Sequence, residues 1–328
     1  MTEALLEVRG LRTWFETPRG TVRAVDGVDL TVGRGEILGL VGESGSGKSI
    51  TGFSLLGLVD PPGRVIEGEI RFHGEDLRAA SPRRLRDLRG NRIAMIFQDP
   101  MMTLNPVLRI GTQMIETVQA HARVSKAEAR AMARDALGQV GIPHPDERID
   151  AYPHEFSGGM RQRVAIAIAL LHKPDLIIAD EPTTALDVTI QSQILSEMQA
   201  LTRDMGLGMI WISHDLGVVG QLAHKMAVMY AGRIVERGSV DEVLDTPRHP
   251  YTRGLIDSLP MENDRGQPLR QIPGNAPPPL NRPEGCPFRP RCAHATDACL
   301  AEPEETGTPD RAWRCFHPLG SRLTEVPA

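Results

Sequence analysis

The sequence has few aromatic residues, little net charge and no long apolar run. Phe, Trp and Tyr together make up 4% of the 328 residues, which disfavours nucleic-acid binding through stacked bases. The formal net charge of −5 lacks the basic excess of a DNA- or RNA-binding chain. The longest apolar run, residues 164–171, is shorter than the ~18 to 20 residues that a membrane-spanning helix needs. These absences argue against nucleic-acid partners and against an integral membrane protein.

The first residues, MTEALLEVRG, also lack the basic and then apolar pattern of a secretory signal, so we expect a cytosolic chain. The composition is otherwise that of a globular protein, with 41% hydrophobic and 24% charged residues. A chain of 328 residues exceeds one compact core of typical size. We therefore predict more than one domain.

Cysteine is absent before residue 286, and the four cysteines are Cys286, Cys292, Cys299 and Cys315. In a reducing cytosol, clustered cysteines favour metal ligation over disulfides. Their gaps are C-x5-C, C-x6-C and C-x15-C, none of which is the C-x2-C pair typical of zinc ribbons. Four thiolates joined by wide loops suit an iron–sulfur cluster. Zinc and free thiols remain the alternatives.

Mainly apolar segments at residues 36–41, 92–97 and 175–179, each read as a strand, alternate with helical patterns, which predicts a parallel sheet covered on both faces. An Ala-rich helical pattern fills residues 110–140, and we expect a helical subdomain at about residues 100–157. The fold class is therefore α/β.

The composition changes near residue 260. Residues 261–285 are rich in Pro, Gly, Asn and Arg, which indicates a linker or extended arm. We predict two domains, residues 1–260 and residues 261–328, and the second contains the cysteines. A Pro-rich segment of this size needs a staple such as a metal to fold.

The stretch GESGSGKS, residues 42–49, fits the pattern G-x-x-x-x-G-K-[ST] between an apolar strand and a helix. Its glycines let the backbone curl so that N–H groups point at phosphate oxygens, and the next helix adds its positive N-terminus. Lys48 is expected to reach the β- and γ-phosphates, and Ser49 to offer its hydroxyl to Mg²⁺. We predict a nucleoside triphosphate site. Its loop residues are Gly42, Glu43, Ser44, Gly45, Ser46, Gly47, Lys48, Ser49 and Ile50.

Polar side chains follow three of the predicted core strands. Asp180 ends an apolar strand and is expected to hold Mg²⁺, and Glu181 is expected to polarise a water for attack on the γ-phosphate. His214, in WISHDL, is expected to contact the γ-phosphate. Gln98, after RIAMIF, is placed to reach Mg²⁺ or the attacking water. Together with the loop, these residues predict hydrolysis of the triphosphate.

A second anion-binding helix start occurs at EFSGGMRQR. Ser157 is a predicted helix cap, and Gly158 and Gly159 leave the helix N-terminus open to an anion. If residues 110–152 form a separate lobe, this helix cannot easily reach the phosphate loop of its own chain. The pattern therefore indicates a nucleotide on another subunit.

These motifs, in this order, resemble the ATP-binding cassette (ABC) ATPase family over roughly residues 4–260. The resemblance implies a RecA-like P-loop core, an antiparallel β subdomain, an inserted helical subdomain and a head-to-tail dimer that sandwiches ATP. It names the motifs Walker A, Q-loop, signature, Walker B and H-loop. It adds Asp187 as the D-loop residue near the partner's ATP, and Phe15 as an aromatic that stacks on adenine unless it belongs to the core.

Three stretches are similar to the dipeptide/oligopeptide permease branch of that family: FSGGMRQR, HPYTRGLIDSLP and CPFRPRC. Met160 stands where the common signature has a Gln, so one side-chain hydrogen bond is lost. The branch implies an importer of peptides, or in some members nickel, at the cytoplasmic face of the inner membrane. Its partners are two transmembrane permease subunits, a solute-binding protein and a second, different ATPase subunit. For some members it also implies a 4Fe-4S cluster.

Two other classes fit less well. A soluble ABC ATPase acting on DNA would carry a long coiled coil between Gln98 and Ser157, and a ribosome-associated one would carry two cassettes. A P-loop kinase or GTPase would need neither the glycines after Ser157 nor His214. We therefore predict the ATP-hydrolysing subunit of an importer.

Overall fold

The computed structural model of the chain describes residues 4–184, 188–263 and 266–320. The strands are β1 (Leu6–Thr17), β2 (Gly20–Val32), β3 (Ile37–Val41), β4 (Gly63–Phe72), β5 (Glu75–Asp76), β6 (Ile93–Ile96), β7 (Leu176–Asp180), β8 (Gly208–Ser213), β9 (Lys225–Tyr230), β10 (Arg233–Ser239), β11 (Thr306–Gly307) and β12 (Ala312–Trp313). The helices are α1 (Lys48–Leu56), α2 (Pro82–Leu88), α3 (Ile110–His121), α4 (Lys126–Gln139), α5 (Pro145–Arg148), α6 (Gly158–Leu170), α7 (Val188–Met205), α8 (Leu216–Leu222), α9 (Val240–Asp245) and α10 (Pro250–Asp257). Within the described residues, none of these helices is long and apolar enough to cross a membrane.

The chain divides into two compact units. We call residues 1–5, 32–37 and 73–211 the helical unit. Residues 6–31, 38–72 and 212–328 are called the phosphate-loop unit. Each unit combines strands with helices, as the α/β prediction requires.

The phosphate-loop unit contains two sheets. In one, the strand order is β2-β1-β4, with β1 antiparallel to β4. In the other the order is β3-β9-β10-β12-β11, with β3 parallel to β9 and the remaining neighbours antiparallel. All five residues of β3 are buried, which explains its continuous apolar sequence. The result is a mixed sheet in which β3, one strand of the parallel pair, leads directly into the phosphate loop.

In the helical unit, β7 lies between β6 and β8. β6 and β7 are parallel, from Ile93 opposite Leu176 to Ile96 opposite Ala179. The carboxyl ends of these two strands therefore meet at one edge, where Gln98 and Glu181 follow them.

The helical pattern at residues 110–140 forms two helices, α3 and α4. Residues 122–125 separate them. Ser125 starts α4 with a capping box, in which its hydroxyl accepts from the Glu128 N–H and the Glu128 carboxylate accepts from the Ser125 N–H. This local cap starts a second helix in a stretch whose Ala-rich pattern suggests one unbroken helix.

Helix α6 is fixed to the end of α4 by Arg163. This buried side chain donates hydrogen bonds to the carbonyl oxygens of Val140, at 3.1 Å, and Gly141, at 3.3 Å. Those carbonyls follow the last turn of α4, where a cation is favoured by the helix dipole. The contact holds the helix that Ser157 begins.

The arm at residues 261–285 is anchored by a buried carboxylate. Asp26 of β2 accepts from Arg233 at 2.8 Å and from Arg282 of the arm at 3.0 Å, and its side chain is 4% exposed. Burial alone would raise the pKa of Asp26. The hydrogen bond from Arg233 and the charges of Arg233 and Arg282 outweigh burial and hold that pKa below its ordinary value of 3.8. The arm is thus attached through charge.

We predict that Asp26→Asn lowers the free energy of unfolding by about 3 kcal/mol at pH 7, because Arg233 and Arg282, whose side chains are only 14% and 16% exposed, lose the carboxylate that they share. Since the folded-state pKa of Asp26 is depressed, its contribution is present above pH 3.8 and declines as the pH falls through the folded-state value. Denaturant unfolding of the wild type and of Asp26→Asn at a series of decreasing pH values checks both the loss of unfolding free energy and its decline at low pH. The control is Glu67→Gln, which removes a carboxylate from an exposed pair with Arg12. Equal losses in the two variants would contradict the prediction.

Candidate nucleotide-binding site

The phosphate loop lies between β3 and α1 in the phosphate-loop unit. Its glycines Gly42 and Gly47 have φ values of 151° and 105°. A Cβ on Gly42 would lie 2.1 Å from the Met229 carbonyl oxygen, and one on Gly47 would lie 2.2 Å from the Ala24 carbonyl oxygen. Both positions therefore exclude any side chain, which gives the glycines of the motif a steric reason.

Two polar side chains point to an anion inside this loop. The buried Lys48 donates from Nζ to the carbonyl oxygens of Gly42, at 2.8 Å, and Glu43, at 3.0 Å. The Ser46 hydroxyl is buried and has no hydrogen-bond partner among the described residues. A phosphate oxygen would satisfy it, since buried polar groups are normally hydrogen-bonded. The loop therefore fits a nucleoside triphosphate.

Helix α1 begins directly after the loop. Its N-cap is Gly47, so no side chain caps the first N–H groups. Uncapped N–H groups and the positive end of the helix dipole favour a bound anion.

The carboxylate pair follows β7 in the helical unit. Asp180 is buried, and Glu181 has φ = 45°, a left-handed conformation that is rare outside glycine. Glu181 Oε2 accepts from Thr184 Oγ1 at 3.0 Å and from Gln98 Nε2 at 3.3 Å. The structure thus brings together Gln98 and Glu181, two residues that were predicted from separate strand ends.

Ser157 is the N-cap of α6 in the same unit. Its hydroxyl accepts from the Met160 N–H at 3.3 Å. Gly158 is exposed, and a Cβ there would meet nothing within 4 Å. The helix start is therefore open, as an anion bound from outside would require.

The remaining predicted ATP contacts are His214, Phe15 and Asp187. His214 is exposed between β8 and α8. Phe15 is partly exposed on β1, and its ring lies against Gly63 of β4, where a Cβ would come within 2.4 Å of it. Asp187 lies outside the described residues.

The four cysteines are free thiols that line one pocket, together with His249, Phe288 and His317 among others. Burial and the neighbouring thiols raise the pKa of Cys315 to about 12. Among the described residues, however, no group of three or more His, Cys, Asp or Glu side chains is arranged to hold a metal ion. The predicted metal-binding extension is therefore not supported by the arrangement of these side chains.

Two residues that contact the loop were missed at the sequence level. The Glu43 N–H donates to Tyr251 Oη at 2.9 Å, and Arg291 forms a two-bond ion pair with the Glu43 carboxylate at 2.7 and 2.9 Å. Tyr251 lies in HPYTRG and Arg291 in CPFRPRC, stretches that had served only as marks of a family branch.

Comparison with known proteins agrees with this geometry. Residues 25–184 match the ABC transporter family, and residues 235–299 match the oligopeptide/dipeptide transporter C-terminal region. The chain is 49% identical over 320 residues to the oligopeptide transport ATP-binding protein OppD of Salmonella typhimurium strain LT2, covering 97% of this chain and 95% of that protein. The chain belongs to the ABC transporter ATPase family.

Other relatives of this ABC ATPase agree. It is 45% identical over 318 residues to the dipeptide transport ATP-binding protein DppD of Escherichia coli K12, covering 96% of this chain and 97% of that one. The dimeric ABC transporter cassette MJ0796 matches its fold with a TM-score of 0.65 at 24% identity, over 72% of this chain and 98% of the other. CbiO1 of Clostridium perfringens, part of the ABC transporter complex cbiONQ, matches with a TM-score of 0.63 at 27% identity, over 74% and 91%. The cassette fold, α/β with mixed sheets, is confirmed.

We predict that Gly47→Ala destabilises the nucleotide-free ABC ATPase at least twice as much as Gly45→Ala. Both glycines have positive φ, so alanine at either costs about 1 kcal/mol of backbone strain. Only Gly47 adds a clash with a backbone oxygen, because a Cβ on Gly45 meets nothing within 4 Å. Denaturant unfolding of both variants checks this, and equal losses would show that the loop relaxes around the added carbon.

Proposed function

We propose that this ABC ATPase is the ATP-hydrolysing subunit of an importer that powers uptake of dipeptides and oligopeptides across the cytoplasmic membrane. The observation that carries the proposal is the similarity to oligopeptide and dipeptide transport ATP-binding proteins over nearly the full chain. It includes the C-terminal region that the family comparison associates with such transporters. We assign residues 1–260 to the ATPase domain, with a helical subdomain at about residues 100–157, and residues 261–328 to the extension.

The proposed partners are two transmembrane permease subunits, an extracytoplasmic solute-binding protein and a second, different ATPase subunit. The chain would lie on the cytoplasmic face of the inner membrane as a peripheral subunit. Exposed apolar side chains in the segment after Gln98 support a docking surface there: Met102 is 72% exposed and Val107 is 74% exposed. No nucleic acid is part of this proposal.

For ATP binding, we assign the triphosphate to the phosphate loop and adenine stacking to Phe15. The unpartnered Ser46 hydroxyl and the buried Lys48 support the first assignment. Ser49, Gln98 and Asp180 offer hydroxyl, amide and carboxylate oxygens, the ligands that Mg²⁺ prefers. Mg²⁺ supplies charge neutralisation at the phosphates when bound.

For hydrolysis, we assign Glu181 as the base that orients and deprotonates the attacking water. Its hydrogen bonds from Thr184 and Gln98 restrict the carboxylate, and its left-handed backbone sets the direction of the side chain. Since the Gln98 amide nitrogen donates to Glu181, the amide oxygen remains for Mg²⁺ or water. His214 is assigned to the γ-phosphate.

Across the dimer, we assign the open helix start to the ATP of the partner subunit. Ser157, Gly158 and Gly159 would bind its γ-phosphate through a hydroxyl and N–H groups. Asp187, which is outside the described residues, is assigned to the same ATP by the family resemblance alone. Met160 in place of the common Gln removes one donor and leaves the serine and glycines.

We also propose that the four cysteines hold a 4Fe-4S cluster, with zinc as the alternative. The support is that all four thiols line one pocket and are free. Four cysteine thiolates are the ligands that such a cluster takes. Its role would be structural.

The importer is tested by growth on a dipeptide in a strain that lacks its own peptide importer. We expect uptake when this chain is supplied with its two permease subunits, its second ATPase subunit and its binding protein, and none with Glu181→Gln. Purified Glu181→Gln should keep its ATP affinity while turnover falls about 10²- to 10⁴-fold, the usual contribution of a general base. The control is Asp204→Asn, in an exposed surface pair. Unchanged turnover would refute the role of Glu181, and nickel-dependent rather than peptide-dependent growth would reassign the solute.

The cluster is tested by metal analysis of anaerobically purified protein. We expect a brown protein with about four iron and four sulfide per chain, lost in Cys286→Ser. Stoichiometric zinc in a colourless protein would replace the cluster by the zinc alternative. Protein without either metal would refute both.

A further inference from the structure

The phosphate loop is held from outside by residues far along the chain. Glu43, the second residue of the loop, contacts Tyr251 and Arg291, which lie 208 and 248 positions later. Tyr251 accepts from its backbone N–H, and Arg291 binds both oxygens of its carboxylate. One loop residue is thus fixed through its backbone and its side chain.

Arg291 is itself held in place by several contacts. Its side chain is 5% exposed, and its Nε donates to the Pro273 carbonyl oxygen at 2.9 Å. Its guanidinium lies over the rings of Tyr230, at 5.8 Å, and Phe288, at 5.9 Å. A planar group with this many partners has one orientation, so it can fix the direction of the Glu43 carboxylate.

Tyr251 is equally constrained. It is fully buried at the start of α10, where its N–H donates to His249 Nδ1 at 3.0 Å. Its ring packs on Tyr230, with centroids 4.5 Å apart, and on Phe288, at 5.4 Å. The phenol oxygen therefore presents a fixed acceptor to the loop backbone.

Charge gives these contacts a role in nucleotide binding. Glu43 places a carboxylate in a loop that receives a triphosphate, and like charges at short range disfavour binding. Arg291 neutralises that carboxylate. The Glu43 carbonyl oxygen is also one of two that accept from Lys48 Nζ, so a shift of residue 43 would move Lys48 as well.

We propose that Arg291 and Tyr251 are positioning residues for ATP, which makes the cysteine-bearing extension a structural part of the nucleotide site. They act through Glu43: Tyr251 sets the path of the loop, and Arg291 turns the carboxylate aside and cancels its charge. The inference rests on ATP binding by the phosphate loop and is independent of the transported solute.

The test is equilibrium ATP binding to the purified full chain and its variants. We expect Arg291→Ala to weaken ATP binding about ten-fold and Tyr251→Phe about three-fold, the range for loss of a charged and a neutral hydrogen bond. Arg253→Ala is the control, because Arg253 forms a partly exposed pair with Asp257 on α10, the helix that also carries Tyr251. It should bind ATP as the wild type does.

A second measurement separates positioning from general stability. In the Arg291→Ala background, Glu43→Gln should restore most of the lost ATP affinity, because the uncompensated carboxylate is gone. The ATPase KM of Arg291→Ala should rise with little change in kcat, since the groups assigned to hydrolysis are untouched. Thermal unfolding without ATP shows which variants fold. If Arg291→Ala does not fold, the ATP affinity of Tyr251→Phe tests the inference instead, because that substitution removes only one oxygen atom.

Wild-type ATP affinity in both Arg291→Ala and Tyr251→Phe would overturn the inference. So would a failure of Glu43→Gln to restore binding, because Arg291 would then not act through that carboxylate. A wild-type chain that binds no ATP would overturn the proposed function together with this inference.

Discussion

The parallel pairing of β3 with β9 determines where the phosphate loop lies. Its register sets Val41 opposite Val228, which brings the next residue, Gly42, against the carbonyl oxygen of Met229. Further along the loop, the backbone carbonyl oxygen of Ser46 accepts from the Gly232 N–H at 2.8 Å. A one-residue slip would separate these contacts and turn each strand residue to the opposite face. The anion site therefore depends on strand pairing before it depends on any charged side chain.

Two buried or half-buried carboxylates attach the C-terminal extension in the same manner. Asp26 binds Arg282, and Glu43 binds Arg291. An isolated buried charge is unfavourable, so each arginine side chain is stable only beside its carboxylate. The position of the carboxylate therefore fixes the position of the arginine. A Pro-rich segment with a small apolar core can be located accurately in this way, without the extensive packing that a domain of its own would require.

Local patterns predicted much of this molecule. Fully apolar runs gave β3, β6 and β7, and the glycine spacing gave the phosphate loop, because both are encoded within a few residues. The break between α3 and α4 was visible as Ser125 and Glu128 but was outweighed by the Ala-rich periodicity. The left-handed backbone of Glu181 and the contacts of Glu43 could not be predicted, since tertiary packing imposes the first and residues 208 and 248 positions away make the second. Cysteine spacing likewise leaves the separation of the thiols open.

The distance in sequence between Glu43 and Arg291 also orders events during synthesis. The loop leaves the ribosome early, whereas its guanidinium partner is translated 248 residues later. At a translation rate of ~5 to 20 residues per second, the phosphate loop of the nascent chain lacks its Arg291 contact for roughly 10 to 50 seconds. Full nucleotide affinity would then be acquired only near the end of translation, so that truncated chains ending before the extension would compete poorly for cellular ATP.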